Sequence, residues 1–268
     1  MRRARASYEH CLVTGASAGL GAHFARALAA RAELLTLVAR RGGRLEALAR
    51  ELSERCPALR CELVVQDLGA EDGVGTLVAE IRRRALPPVH LLVNNAGFGR
   101  LGAFRAFPVD DYRQMCAVNM RAAMELLYHL FPELEAGPGR GVINVASAAA
   151  FQPVPYFACY SATKAFLRSL STALAAETRR TGTRVLALCP GPVETEFAHV
   201  ASLRDGFAKP AARAERVVAQ ALQAYERGRI EFVPGVLNRL LAYSARFVPL
   251  RGLLALSKVV VERRVGRV

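Results

Sequence analysis

Short apolar runs alternate with longer helical stretches along this chain, and that alternation is what most restricts its fold. The runs are His10–Thr14, Leu34–Ala39, Leu63–Gln66, Leu91–Asn94, Val142–Ala146, Val185–Cys189 and Ile230–Val233. Between them, Gly42–Arg55, Glu71–Arg84, Met115–Phe131 and Arg213–Arg227 carry helical patterns, as does the alanine- and leucine-rich stretch through Ala30. Apolar strands separated by helices predict a parallel sheet covered on both faces, a doubly wound α/β fold. No repeat or low-complexity linker interrupts the order. Residues 1–268 are therefore expected to form a single domain, with a core over about 10–233 and a helical C-terminal extension over 236–268.

In open sheets of this type, ligands bind beyond the carboxyl ends of the strands. Gly15, Ala39, Asp67, Asn94, Ser147 and Pro190 each stand at such an end, so one crevice should collect them. The first end is Gly15-Ala16-Ser17-Ala18-Gly19-Leu20-Gly21, leading into a helical pattern. Strand, glycine turn and helix make a phosphate cradle: the backbone approaches a pyrophosphate closely, and the helix N-terminus offers free amides. The spacing, GxxxGxG, departs from the GxGxxG fingerprint. At the second end, Arg40 and Arg41 follow Ala39. A site for NAD places a carboxylate there for the ribose 2′-hydroxyl, whereas arginine accommodates a 2′-phosphate. The expected cofactor is NADP(H) in preference to NAD(H).

A third stretch, SAAAFQPVPYFACYSATK over 147–164, carries a candidate acid/base pair. Tyr160 and Lys164 lie four apart on a predicted helix and so share a face. A tyrosine titrates near ~10 in isolation, and a cation within about 4–6 Å lowers that value. The chain has 37 Lys plus Arg, yet lysine stands only at 164, 209 and 258. In a chain that otherwise uses arginine, lysine at 164 indicates a need for a compact ammonium.

Bulk properties narrow the classes further. Hydrophobic content of 52% with 22% charged residues describes a globular protein. No run of 18 uninterrupted apolar residues is present, and MRRARASYEH lacks the apolar segment of a signal peptide, so the expected location is cytoplasmic. The net charge of +14 comes from arginines spread along the chain without an aromatic-interleaved basic block, which argues against a nucleic-acid partner. Cys11, Cys56, Cys61, Cys116, Cys159 and Cys189 show no CxxC or Cys/His ligand spacing. They read as small buried hydrophobes in a reducing compartment, with no metal site.

Taken together, TGASAGLG (14–21), NNAG (94–97), Asn119, Ser147 thirteen positions ahead of Tyr160, YSATK (160–164) and PGPV (190–193) resemble the short-chain dehydrogenase/reductases, in their single-domain subgroup. The similarity covers roughly residues 10–233, with the motifs in the family's order. It implies a Rossmann-like seven-stranded sheet and an oxidoreductase interconverting a carbonyl and an alcohol of a small molecule. Tyr160 would be the general acid in reduction and the base in oxidation. Lys164 would hold the nicotinamide ribose and depress the tyrosine pKa, Ser147 would hydrogen-bond the substrate oxygen, and Asn119 would position a water in a relay toward Lys164. Gly15, Ser17, Gly19, Leu20 and Gly21 would surround the pyrophosphate and adenosine ribose. Asp67 and Leu68 would meet the adenine, Asn94, Ala96 and Gly97 the central scaffold and ribose, and Pro190, Gly191, Val193 and Thr195 the nicotinamide. With alanine at position 18, where some relatives carry a basic residue, the 2′-phosphate would lean mainly on Arg40, assisted by Ser17 and Arg41. Asp67 could equally cap the segment after it, and Asn94 and Asn95 could bridge strands. The expected assembly is a homodimer or homotetramer.

Phe98, Leu101 and Phe104 after NNAG, Phe151, Val154 and Phe157 before the tyrosine, and Phe197, Leu203 and Phe207 in the covering segment 192–212 suggest an apolar mouth and a lipophilic substrate. Beyond Val236 the residues Val236, Leu237, Leu240, Leu241, Ser244 and Phe247 line one helical side, with Arg239 and Arg246 off it. Two readings of this tail stay open: peripheral contact with an anionic membrane, or packing as a lid or subunit contact. A non-catalytic protein that senses NADP(H) is the alternative to an enzyme. Such proteins tend to lose the tyrosine or lysine, and here Asn119, Ser147, Tyr160 and Lys164 all stand.

Overall fold

A computed structural model describes residues 8–197, 201, 211–245 and 247–265, the last three as backbone only. Leu203, Phe207 and Arg246 lie outside the described residues. The strands are β1 (Tyr8–Thr14), β2 (Ala32–Ala39), β3 (Arg60–Val65), β4 (Leu91–Asn94), β5 (Gly141–Val145), β6 (Arg184–Leu188) and β7 (Glu231–Phe232). They form one seven-stranded sheet in the order β3-β2-β1-β4-β5-β6-β7, and every pairing is parallel. This is the parallel, doubly wound arrangement that the alternation predicted, with the seven Rossmann-like strands that the resemblance implied. Val13 of β1 pairs with Leu37 on one side and Val93 on the other, so the strand order reverses about β1 and β4. A crevice opens beyond their carboxyl ends at that switch point.

The helices are α1 (Gly19–Ala29), α2 (Gly42–Arg55), α3 (Gly73–Arg83), α4 (Val109–Cys116), α5 (Ala123–Leu134), α6 (Ala158–Glu177), α7 (Ala214–Glu226), α8 (Val236–Ser244) and α9 (Leu250–Val265). The inner strands β1, β2, β4, β5 and β6 bury both faces over most of their length, which is why they read as continuous apolar runs instead of alternating ones. One face packs Phe24, Leu28, Leu45, Leu52 and Tyr225 from α1, α2 and α7. The other packs Leu77, Ile81, Leu126, Leu130 and Ala175 from α3, α5 and α6.

Two elements differ from expectation. The helix predicted over Met115–Phe131 is interrupted by a π-helical turn, Ala117–Ala122, between α4 and α5. Such turns admit an extra residue into the helical ladder and cluster at functional sites; here the turn carries Asn119, which is fully buried. The expectation that the cysteines are buried holds for Cys11 and Cys189, but Cys116 is exposed and Cys56, Cys61 and Cys159 are half-buried. The Cys116 and Cys159 sulfurs stand 4.0 Å apart between α4 and α6.

Candidate active site

The glycine turn after β1 is shaped by close approach. Gly15 and Gly19 have φ of +65° and +52°, a region that side chains disfavour. A Cβ on Gly21 would lie 2.3 Å from the Gly15 carbonyl oxygen, so α1 starts hard against the turn it follows. Thr14 closes the cradle from below: its Oγ1 accepts from the Asn95 and Ala96 amides at 2.9 and 3.0 Å, while Asn95 Nδ2 donates to the Thr14 carbonyl at 2.8 Å. Asn95 thus bridges β4 to β1. Asn94 turns the other way, donating at 3.0 Å to the Ala123 carbonyl of α5, so its side chain is committed to holding that helix. Leu68 is buried in the apolar layer with Val64 and Val74, which leaves only its backbone for a ligand.

The two arginines after β2 part company. Arg41 Nε and Nη2 both stand 3.2 Å from Ser17 Oγ in the glycine turn. Arg40 instead forms a 3.8 Å ion pair with Asp67 at the end of β3, with both side chains well exposed. The expectation that a 2′-phosphate would lean mainly on Arg40 therefore shifts: Arg41 is the guanidinium already placed over the turn. Asp67 also accepts from the Gly69 amide at 2.9 Å, a local turn six residues ahead of α3, and it is not the helix cap. Glu196, which sequence reasoning passed over, accepts from Arg44 at 2.6 and 2.7 Å and from Arg41 at 3.3 Å. It ties the segment after Pro192 to the start of α2. Thr195 stands over Gly19, and a Cβ on Gly191 would meet Asn238 of α8 at 2.5 Å. Val193 bridges to Ala212, and the Pro190 carbonyl accepts from the Ala148 amide at 2.8 Å.

On the opposite wall, Ser147 caps a short 3-10 turn, Ala148–Phe151, its Oγ accepting from the Ala149 amide at 3.1 Å. The Tyr160 phenol is buried beside Ser147, whose side chain favours its ionised form. Lys164 donates from Nζ to the Val145 carbonyl at 2.8 Å and lies 5.9 Å from the centre of the Tyr160 ring. Asn119 is clamped: Nδ2 donates to the Phe98 carbonyl at 2.9 Å and to Thr163 Oγ1 at 3.0 Å, and Oδ1 accepts from the Phe98 amide at 3.1 Å. Gly97 separates Asn119 from Lys164. A Cβ there would stand 2.9 Å from Asn119 Oδ1 and 3.2 Å from Lys164 Nζ, and one on Gly99 would stand 2.9 Å from the Tyr160 ring, so Asn119, Lys164 and Tyr160 all border the segment from Gly97 to Gly99.

Apolar rings pack against Tyr160. Phe157 stacks on Tyr160 at 4.2 Å and Phe197 tilts against it at 5.5 Å, while Leu101, Met115, Ala201 and Val261 complete the cluster. Phe104, expected at the mouth, is exposed and stacks on Tyr112 instead. Burial governs the electrostatics. Tyr160 and Lys164 are 7% and 4% exposed. Loss of water pushes the phenol up to about 12, opposed by the Ser147 side chain, and pushes the ammonium down to about 8. The expectation was that Lys164 makes the phenol more acidic; here burial dominates, both groups move toward their neutral forms, and Tyr160 is a protonated donor at neutral pH. Thr14 and Thr163, both missed from sequence, were detectable as hydroxyls beside the glycine turn and within YSATK. A cavity of about 480 Å³, lined by Phe151, Pro155, Ala158, Ala162, Ala165 and Leu254, lies along the neighbouring face of α6 and excludes Tyr160 and Lys164.

A profile of the family described as short chain dehydrogenase matches residues 9–205. Sulfoacetaldehyde reductase 2 of Chromohalobacter salexigens is 35% identical over 213 residues, covering 78% of this chain and 82% of its own. Among solved structures, a short-chain dehydrogenase from Sphingobium yanoikuyae in complex with NADPH superposes with a TM-score of 0.79 at 28% identity, covering 91% of this chain and 94% of that one. A bulky-bulky ketone specific alcohol dehydrogenase from Comamonas testosteroni gives 0.75 at 25% identity, covering 92% and 94%.

Proposed function

The chain belongs to the short-chain dehydrogenase/reductase family of NAD(P)-dependent enzymes acting on CH–OH groups, and on that premise we propose that it is an NADP(H)-dependent oxidoreductase that interconverts a lipophilic carbonyl compound and its alcohol. The observation that carries the reading is the placement of Asn119 and Lys164 against Gly97 and of Tyr160 against Gly99, with Ser147 beside the phenol, next to a glycine cradle too tight for any side chain at Gly21. The cradle fits a dinucleotide. Gly15, Ser17, Gly19, Leu20 and Gly21 would hold its phosphates and adenosine ribose, the Asp67 and Leu68 backbone its adenine edge, and Ala96, Gly97, Pro190, Gly191, Val193 and Thr195 the nicotinamide half. Arg41 with Ser17, flanked by Arg40, would take the 2′-phosphate, as charge-assisted bonds from guanidinium to phosphate favour. The likeness to a solved neighbour holding NADPH supports the same choice.

When bound, the dinucleotide supplies or accepts the hydride. The chain's own residues manage the proton and the oxygen. Ser147 and Tyr160 aim two hydroxyls at the substrate oxygen, and as negative charge grows there Tyr160 gives up its proton. Lys164, anchored on the Val145 carbonyl, would hold a ribose of the dinucleotide and offset the charge of the phenolate that results. Asn119, locked by Phe98 and Thr163, marks the far end of a proton path to Lys164. The Phe157 and Phe197 rings exclude water and favour an apolar substrate. Mixing the purified protein with NADPH and a panel of aldehydes, ketones and quinones, and following loss of NADPH absorbance, tests the reading. Carbonyl-dependent oxidation of NADPH above that of NADH is expected. Dinucleotide binding with no turnover on any member would favour the sensing alternative.

A further inference from the structure

The C-terminal helices turn their apolar residues outward. On α8, Leu237, Leu240 and Leu241 are 65, 63 and 59% exposed, and Phe247 just beyond it is 86% exposed. The face of α8 that meets the body is the opposite one. Ala242 is buried, Tyr243 donates to Glu231 at 2.7 Å and packs edge-on against Phe151, and Asn238 sits against Gly191. On α9, Val261 is buried in the site cluster and Glu262 accepts from Tyr156 at 2.6 Å, while Leu256, Val259 and Val260 face out. A helix that docks on a protein through its apolar stripe does the reverse. Contiguous outward leucines mark a surface built to be covered by something else.

Charge selects the cover. Residues 236–268 hold seven arginines and lysines against one acid, Glu262, so this short tail carries +6 of the chain's +14. Arg239 flanks the leucines of α8, and Arg251 and Lys258 stand exposed on α9. A second copy of the chain would set one such tail against another of the same sign. An anionic lipid surface offers both hydrocarbon for the leucines and phosphates for the cations. We propose that α8 and α9 seat this protein on the surface of an anionic bilayer, without crossing it; among the described residues no helix is long and apolar enough to span one. The assignment does not depend on which reaction the site performs.

The test is co-sedimentation of the full chain with vesicles of phosphatidylcholine alone and of phosphatidylcholine with phosphatidylglycerol. Binding to the mixed vesicles, weak binding to the neutral ones, and release by salt are expected. The triple variant Leu237→Ser, Leu240→Ser, Leu241→Ser should bind at least about tenfold more weakly, since it removes outward apolar contact. A second variant, Arg239→Glu, Arg251→Glu, Lys258→Glu, keeps the leucines and should also lose anionic binding, so the test stands if the serine variant misfolds. Equal sedimentation of all three proteins, or none of the native chain with either vesicle, overturns the proposal. So does sedimentation equilibrium in which the native chain is a dimer that the serine variant splits, with no vesicle binding: that outcome gives the face to a second copy.

Discussion

Replacing Lys164 by methionine should abolish turnover and yet stabilise the fold. The lysine is buried, and its ammonium falls from an ordinary 10.5 to about 8. At about 1.4 kcal/mol per pH unit, holding the buried charge costs on the order of 3 kcal/mol at neutral pH. Methionine fills much of the same volume without charge. Against this gain, the Val145 carbonyl loses the 2.8 Å bond from Nζ, a cost of about 1–2 kcal/mol. The net is about 1–2 kcal/mol in favour of the variant, which for a chain of this size raises Tm by about 2–5 °C at pH 7. The pH dependence is the sharper signature. Between about 8 and 10.5 the native lysine has released its proton while the unfolded one keeps it. The native chain therefore gains stability as pH rises through that window, and the methionine variant has no matching gain. The Tm difference should shrink toward pH 10, measured by differential scanning calorimetry at low ionic strength. A variant that melts below the native chain at pH 7, or a difference independent of pH, would refute the view that this charge is held at the expense of the fold.

Tyr160→Phe should bind NADPH within about twofold of the native chain, by fluorescence titration, and lose about 10²–10⁴ in turnover, since only the transferable proton is removed. Arg41→Ala should weaken NADPH about tenfold relative to NADH, and Arg40→Ala less, because Arg40 stands over Asp67 and not over the glycine turn; ratios unchanged in both variants would free the site of any 2′-phosphate role. Gly21→Ala places a methyl 2.3 Å from the Gly15 oxygen; it should lower stability by about 1–3 kcal/mol and remove dinucleotide binding, read by thermal melting and titration.

Much of this architecture was legible because its causes are local. Parallel strands buried on both faces leave apolar runs, so the placement of Gly15, Ala39, Asp67, Asn94, Ser147 and Pro190 at or just past strand ends could be read from the order of the chain. What stayed hidden depends on where two distant segments meet. Nothing in the run from Met115 to Phe131 announces a π-turn; it is visible only when Asn119 is seen clamped by Phe98 and Thr163. The division of labour between Arg40 and Arg41 rests on Ser17 and Asp67, each more than twenty residues away. The direction of the Tyr160 shift escaped the sequence for the same reason. Spacing on a helix shows proximity, but the loss of water around Tyr160 comes from residues far off in sequence, among them Leu101, Met115, Phe197 and Val261.

Tyr156 adopts a left-handed backbone with φ of +62°, four residues before Tyr160, and its hydroxyl is tethered to Glu262 near the end of the chain. The last helix is thereby a stopper as well as an outrigger: its inner edge brings Val261 into the apolar cluster that holds Tyr160. Trimming residues from the far end would open the apolar cluster around Tyr160 before disturbing a single strand, so the site proposed there is guarded by a part of the sequence remote from the glycine turn.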